Sequence, residues 1–127
     1  MNVVDSSGWL EYFADGPGAE HFAPALEDLD SLVVPTVCLI EVAKIVRRER
    51  GEHAAFQATA QMELGKVAVL DAAVAKLAAG LGVYHKLPLA DSIILATARV
   101  YDATVWTQDD DFAELPGVKY FPKKKLG

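Results

Sequence analysis

Cysteine is almost missing from this 127-residue sequence, and the single Cys38 excludes an internal disulfide. Its neighbours Val37, Leu39 and Ile40 mark it as a small buried residue without chemistry. The three histidines, His21, His53 and His85, are scattered without ligand spacing, which argues against a zinc site. Proline is scarce at 6 residues while 52% of the chain is hydrophobic, so the composition is that of a globular domain rather than a disordered one. No apolar run reaches about 18 residues without a charge, and no membrane span is expected. The opening Met1-Asn2-Val3-Val4-Asp5 meets a carboxylate at once and lacks a basic region, which argues against a secretory signal and for a soluble, cytoplasmic protein. The length fits one domain over 1–127.

Positive charge is also short. Twelve Lys and Arg stand against 18 Asp and Glu, a net charge of −6, whereas broad contact with phosphates asks for a basic surface. That objection weakens if several acids share one site with divalent cations, because the ions reverse the local sign. The basic residues that exist are clustered, Lys44, Arg47, Arg48 and Arg50 in one stretch and Lys123, Lys124 and Lys125 near the end. A solvated face and a phosphate-binding role both fit these clusters.

Hydrophobic spacing predicts strands at Asn2–Asp5, Ser31–Val34, Val67–Leu70, Thr104–Trp106 and near Val118–Phe121. Between them it predicts helices over Trp9–Ala14, Ala19–Asp28, Val37–Arg50, His53–Leu64, Ala72–Leu81 and Ala90–Tyr101, with a short one around Phe112. The two helices between Val37 and Leu64 are separated near Gly51 and read as a hairpin. Alternating strands and helices imply parallel pairing with crossovers, hence an α/β chain in three layers, α/β/α, around a parallel sheet of four to five strands. In such sheets the ligand crevice lies beyond the carboxyl ends of the strands.

Four carboxylates stand out against that frame. Asp5 closes the first strand, and Asp109 follows the fourth through Thr107-Gln108, so both belong to one edge of the sheet. Helix capping or a turn would explain either one alone. Glu41 lies mid-helix among Val37, Cys38, Leu39, Ile40, Val42 and Ala43, where an inward carboxylate needs a compensating partner; a surface pair with Lys44 is the plainer alternative. Asp91 opens a nearly uninterrupted apolar helix, where the helix dipole would also favour it. Four acids from distant segments repel one another unless cations or protons intervene, and oxygen ligands suit Mg²⁺ or Mn²⁺. Phosphodiester hydrolysis is the chemistry such a site serves best, since metal ions screen phosphate charge, activate a water and stabilise the leaving oxygen.

With these residues in view, the chain resembles PIN-domain nucleases and, among them, the VapC toxins of toxin–antitoxin pairs. The resemblance spans essentially the whole length and rests on Val4-Asp5-Ser6-Ser7, on Glu41 in its apolar helix, on Leu89-Ala90-Asp91-Ser92-Ile93-Ile94-Leu95-Ala96-Thr97-Ala98, and on Thr107-Gln108-Asp109-Asp110-Asp111-Phe112. It implies a PIN-like fold and an acidic quartet of Asp5, Glu41, Asp91 and Asp109, with Ser7 and Thr107 as supporting hydroxyls. The run Asp109-Asp110-Asp111 leaves Asp111 as a second candidate for the fourth acid. It further implies Mg²⁺- or Mn²⁺-dependent endoribonuclease activity on an RNA substrate, homodimerisation, and a cognate VapB-type antitoxin that covers the cleft, with the Val37–Leu64 hairpin as the contact clip. A PIN nuclease of housekeeping RNA processing, a receiver-like regulatory domain and a non-catalytic binding module are the competing readings. Against the receiver, Glu41 in a helix has no role in phosphoacceptor chemistry.

Overall fold

The computed structural model describes residues 1–124. The chain runs β1 (Asn2–Val4), α1 (Ser6–Phe13), α2 (Ala19–Leu26), β2 (Leu32–Pro35), α3 (Thr36–Arg50), α4 (Glu52–Met62), β3 (Lys66–Ala68), α5 (Ala72–His85), α6 (Leu89–Val100), β4 (Thr104–Thr107) and β5 (Val118–Tyr120). Short 3₁₀ turns precede β2 at Leu29–Ser31 and follow β4 at Asp110–Phe112.

All five strands are parallel, in the order β3-β2-β1-β4-β5. Successive side chains on a strand point to opposite faces. The neighbours Val3 and Val4 are both fully buried, as are Val33 and Val34, so helices cover both faces and the three-layer α/β/α class holds. The strand order carries the functional consequence. From β1 the chain winds outward to β2 and β3, then crosses back to place β4 on the other side of β1, with Val4 paired to Trp106. The winding direction therefore reverses between β1 and β4, and the crevice of the sheet opens at their carboxyl ends. Asp5 follows β1 there, and Gln108 and Asp109 follow β4.

Several boundaries differ from the sequence expectation. The first helix begins at Ser6 rather than Trp9, because the Asp5 carboxylate caps it by accepting the Gly8 N–H at 3.0 Å. Gly8 belongs to the helix because its neighbours are close: a Cβ there would lie 2.5 Å from Val4 Cγ1 and 2.8 Å from Phe22 Cδ1. The third strand ends at Ala68, and Val69 and Leu70 are exposed beyond it. The helix expected to stop at Leu81 continues to His85 and ends at Lys86, which takes a left-handed φ of 57°. The hairpin of α3 and α4 forms as expected, turning at Gly51 with φ 92°. Cys38, Val42 and Val46 of α3 and Ala55, Ala58 and Met62 of α4 bury their side chains in the core. Ser92–Ala98 of α6 are all buried, which makes this helix the centre of its layer. No helix of the described residues is long and apolar enough to cross a membrane.

Candidate active site

The carboxyl end of β1 delivers Asp5 into a position that is 2% exposed. Its Oδ1 accepts from Ser7 Oγ at 2.7 Å and from the Gly8 N–H at 3.0 Å, and its Oδ2 accepts from Thr107 Oγ1 at 2.7 Å. Burial still dominates these three bonds and raises the carboxyl to about 6, with the field of Asp109 pushing the same way. Thr107, fully buried at the end of β4, also accepts the Asp109 N–H at 2.9 Å, and Ser7 Oγ accepts the Gln108 N–H at 3.3 Å. The two strand ends are thus tied together by two hydroxyls, each donating to Asp5 and receiving from the loop after β4.

Asp91 enters from the first turn of α6. It is half-buried, and its carboxyl is raised to about 7 by burial first, then by the fields of Asp109, Asp5 and Asp111 and a hydrogen bond with Asp111. Asp91, Asp109 and Asp111 each offer an oxygen within 4.8 Å of the others. Asp111, expected as the less direct candidate, therefore stands beside Asp109 in reach of Asp91. Its place is fixed locally, since the Asp111 N–H donates to Asp109 Oδ1 at 2.9 Å in the 3₁₀ turn.

Glu41 sits on α3 at half burial, and its Oε1 accepts from Ser6 Oγ at 2.6 Å. Among the described residues it forms no pair with Lys44, since the ion pairs present are Arg47–Glu52 and Lys124–Glu20. The buried Cys38 one turn earlier reports its position. Burial pushes that thiol far above its ordinary range, and the fields of Asp5, Glu41 and Asp91 push it further, only partly opposed by the nearby Ser6 hydroxyl. The fields of all three carboxylates thus reach one sulfur, which stays protonated. Glu41 and Asp5 are nevertheless both outside the tight group of Asp91, Asp109 and Asp111, to which Asp5 is joined through Thr107.

Ser6, Glu11 and Gln108 were not singled out in the sequence. Ser6 holds Glu41, and Gln108 Nε2 donates to Glu11 Oε2 at 2.9 Å. Only the short spacing of Ser6 from Asp5 could have pointed to it; the other two meet across 97 residues. Beside Ser7 and Gln108 a groove of about 580 Å³ runs between α1 and the α3–α4 hairpin, with Arg50 and Lys123 on its walls. Lys124 pairs with Glu20 at 2.9 Å, and Lys125 lies outside the described residues.

The donor set fits a hard divalent cation. Asp91, Asp109 and Asp111 supply carboxylate oxygens only, with no thiolate or imidazole among them. On Asp5 both positions of Oδ1 are taken, but Oδ2 accepts a single bond and keeps a lone pair free. Two carboxyls raised into the range of about 6 to about 7 show how poorly the site tolerates its own negative charge. A cation would offset both the burial of that charge, the larger cause, and the mutual repulsion of the acids.

Solved structures share this architecture. A toxin–antitoxin complex from Klebsiella pneumoniae contains a chain similar at TM-score 0.80 and 21% identity, over 94% of this chain and 96% of that one. The sarcin–ricin-loop-cleaving toxin VapC20 of Mycobacterium tuberculosis matches at TM-score 0.77 and 21% identity, over 93% and 97% of the two chains. FitAcB from Neisseria gonorrhoeae matches at 0.69 and 21%, over 96% and 98%. No curated protein sequence matches the chain. The three structural likenesses establish the fold at this level of identity, while the family is carried by the sequence itself: the PIN domain model matches residues 3–118, almost from the first strand to the last. This chain belongs to the PIN domain family.

Proposed function

We propose that this protein is a Mg²⁺- or Mn²⁺-dependent endoribonuclease and the toxin of a VapBC-type toxin–antitoxin pair. The observation that carries the reading is the convergence of carboxylates from β1, α6 and the turn after β4 at the point where the sheet reverses its winding. In the proposed site Asp5, Asp91 and Asp109 hold the metal, with Asp111 beside them as a further ligand, and Glu41 completes the shell or orients the attacking water. Ser6 fixes the Glu41 carboxylate for that task, while Ser7 and Thr107 aim Asp5 and partly offset its burial by donating to it. When bound, a divalent ion supplies charge neutralisation and Lewis-acid polarisation at the scissile phosphate. No side-chain nucleophile is needed, and the only thiol, Cys38, is buried and protonated.

The toxin assignment is supported by the similar structures, which include a chain of a toxin–antitoxin complex and a sarcin–ricin-loop-cleaving toxin. On this reading the chain is one domain over 1–127, works in the cytoplasm as a homodimer, and is inhibited by a VapB-type antitoxin that covers the acidic cleft. The test is cleavage of total RNA with Mn²⁺, with Asp5→Asn protein in parallel and the new ends mapped. New discrete ends that vanish in Asp5→Asn or on chelation are expected. Cleavage that survives the Asp5→Asn substitution unchanged would remove the assignment.

A further inference from the structure

The loop that carries Thr107 and Asp109 is held from both sides. On its inner side Thr107 Oγ1 donates to Asp5 Oδ2 at 2.7 Å, and the Gln108 N–H donates to Ser7 Oγ at 3.3 Å. On its outer side the Gln108 side chain turns away from the acidic pocket, and Nε2 donates to Glu11 Oε2 at 2.9 Å. Glu11 lies on α1, one and a half turns beyond the residues that flank Asp5. Its other oxygen faces the α1–α2 turn, where the Gly18 N–H approaches Oε1 at 3.5 Å.

Two glycines make room for this pair. A Cβ on Gly16 would fall on the Glu11 carboxylate, and one on Gly18 would lie 3.3 Å from Gln108 Oε1 and 3.5 Å from Glu11 Cγ. Neither glycine has the positive φ that would otherwise call for glycine, as Gly51 and Gly117 do. The turn Gly16-Pro17-Gly18 is therefore shaped around the Glu11–Gln108 contact. The Glu11 carboxylate is half-buried, accepts from an amide and has no ion-pair partner among the described residues, so the Gln108 bond is the contact that fixes it.

We propose that Glu11 is a positioning residue, which acts through Gln108 to set the loop carrying Thr107 and Asp109 against Asp5. The inference rests on the metal-dependent reading of the site given above. Neither residue touches the reacting atoms. Glu11 fixes Gln108, the Gln108 backbone is anchored on Ser7, and the residues on either side of it supply the Thr107 hydroxyl and the Asp109 carboxylate. Partners that orient metal ligands commonly change metal affinity or activity by about 10- to 100-fold when removed.

The experiment compares Glu11→Ala, Gln108→Ala, the double variant and Glu11→Gln on the intact chain. Two readouts are taken: the Mn²⁺ concentration giving half the maximal rise in melting temperature, and kcat and KM for cleavage of an RNA that the parent protein cuts. Each single alanine variant should raise the half-saturating Mn²⁺ about tenfold and lower kcat with little change in KM. The double variant should be no worse than either single one, because one contact is lost in all three. Glu11→Gln should recover most of the parent behaviour, since its amide oxygen can still accept from Gln108 Nε2. An unchanged Mn²⁺ dependence in a folded Glu11→Ala protein overturns the proposal. So does full additivity of the two alanines, or failure of Glu11→Gln to rescue. If the parent protein binds Mn²⁺ but cuts no RNA, the nuclease reading fails, and the Mn²⁺ titrations alone decide the positioning role.

Discussion

At Asp91, burial and three neighbouring carboxylates push in one direction. The carboxyl rises from the ordinary 3.8 to about 7, so the folded protein holds its proton long after the unfolded chain has released it. The sign follows by linkage: this group favours the folded state most below about pH 4, and its contribution is lost as pH rises towards about 7. Because the residue is half-exposed, solvent screening reduces the effect to on the order of 1–2 kcal/mol. Asp91→Asn fixes the neutral form. Without divalent ions, that variant should melt a few degrees higher than the parent at pH 8 and at the same temperature at pH 4. Added Mn²⁺ should then raise the parent's melting temperature but scarcely move the variant's. Thermal denaturation at the two pH values with chelator, then with Mn²⁺, measures both; a variant that melts lower than the parent at pH 8 would contradict the repulsion.

Helix α5 shows how the same residue type means different things two positions apart. A Cβ on Gly82 would lie 2.5 Å from Ser92 Oγ, where α5 crosses the first turn of α6, whereas one on Gly80 would meet nothing within 4 Å. Glycine in a helix interior costs up to about 1 kcal/mol relative to alanine. Gly80→Ala should therefore stabilise the protein by about that amount. Gly82→Ala should destabilise it by about 1–3 kcal/mol through overpacking, and it should also disturb Asp91, next to Ser92 in sequence. Urea denaturation of the two variants checks this, and equal signs would refute the close approach. This contrast also marks what could be read in advance. The apolar periodicity of α6 identified a central helix, and Ser92–Ala98 are indeed buried. The alanine-rich pattern of α5 gave the helix but not its end at Lys86, because Gly80 and Gly82, one facing solvent and the other a packing contact, weaken the helical pattern without ending the helix. Similarly, the first helix was expected from Trp9, while the Asp5 cap extends α1 back to Ser6.

Across the whole molecule, the information in the sequence was strongest for what is local and weakest for what closes over long distances. Strand and helix alternation was enough for a parallel α/β/α sheet, and Asp5 and Asp109 could be assigned to one edge because each directly follows a strand. The order β3-β2-β1-β4-β5, which makes that edge a reversal point, depends on where the α5–α6 crossover lands and left no local signal. The Glu11–Gln108 contact, spanning 97 residues, was invisible for the same reason. Global charge poses the remaining question, since on the proposed nuclease reading a chain of net charge −6 has to approach a polyanion. Arg50 and Lys123 line the groove beside the acidic pocket, but Glu11 and Glu49 line it too, so it offers the phosphates of a bound strand no net positive charge. The pocket itself has to change sign, and bound divalent ions would do that where Asp91, Asp109 and Asp111 cluster. RNA binding, and not cleavage alone, should therefore need the metal. Fluorescence anisotropy of a labelled RNA oligonucleotide at fixed ionic strength should give an affinity at least about tenfold weaker with chelator than with Ca²⁺ or Mg²⁺. Equal affinity in the two conditions would mean that the basic residues on the groove suffice, and that the acids meet the strand only at the moment of hydrolysis.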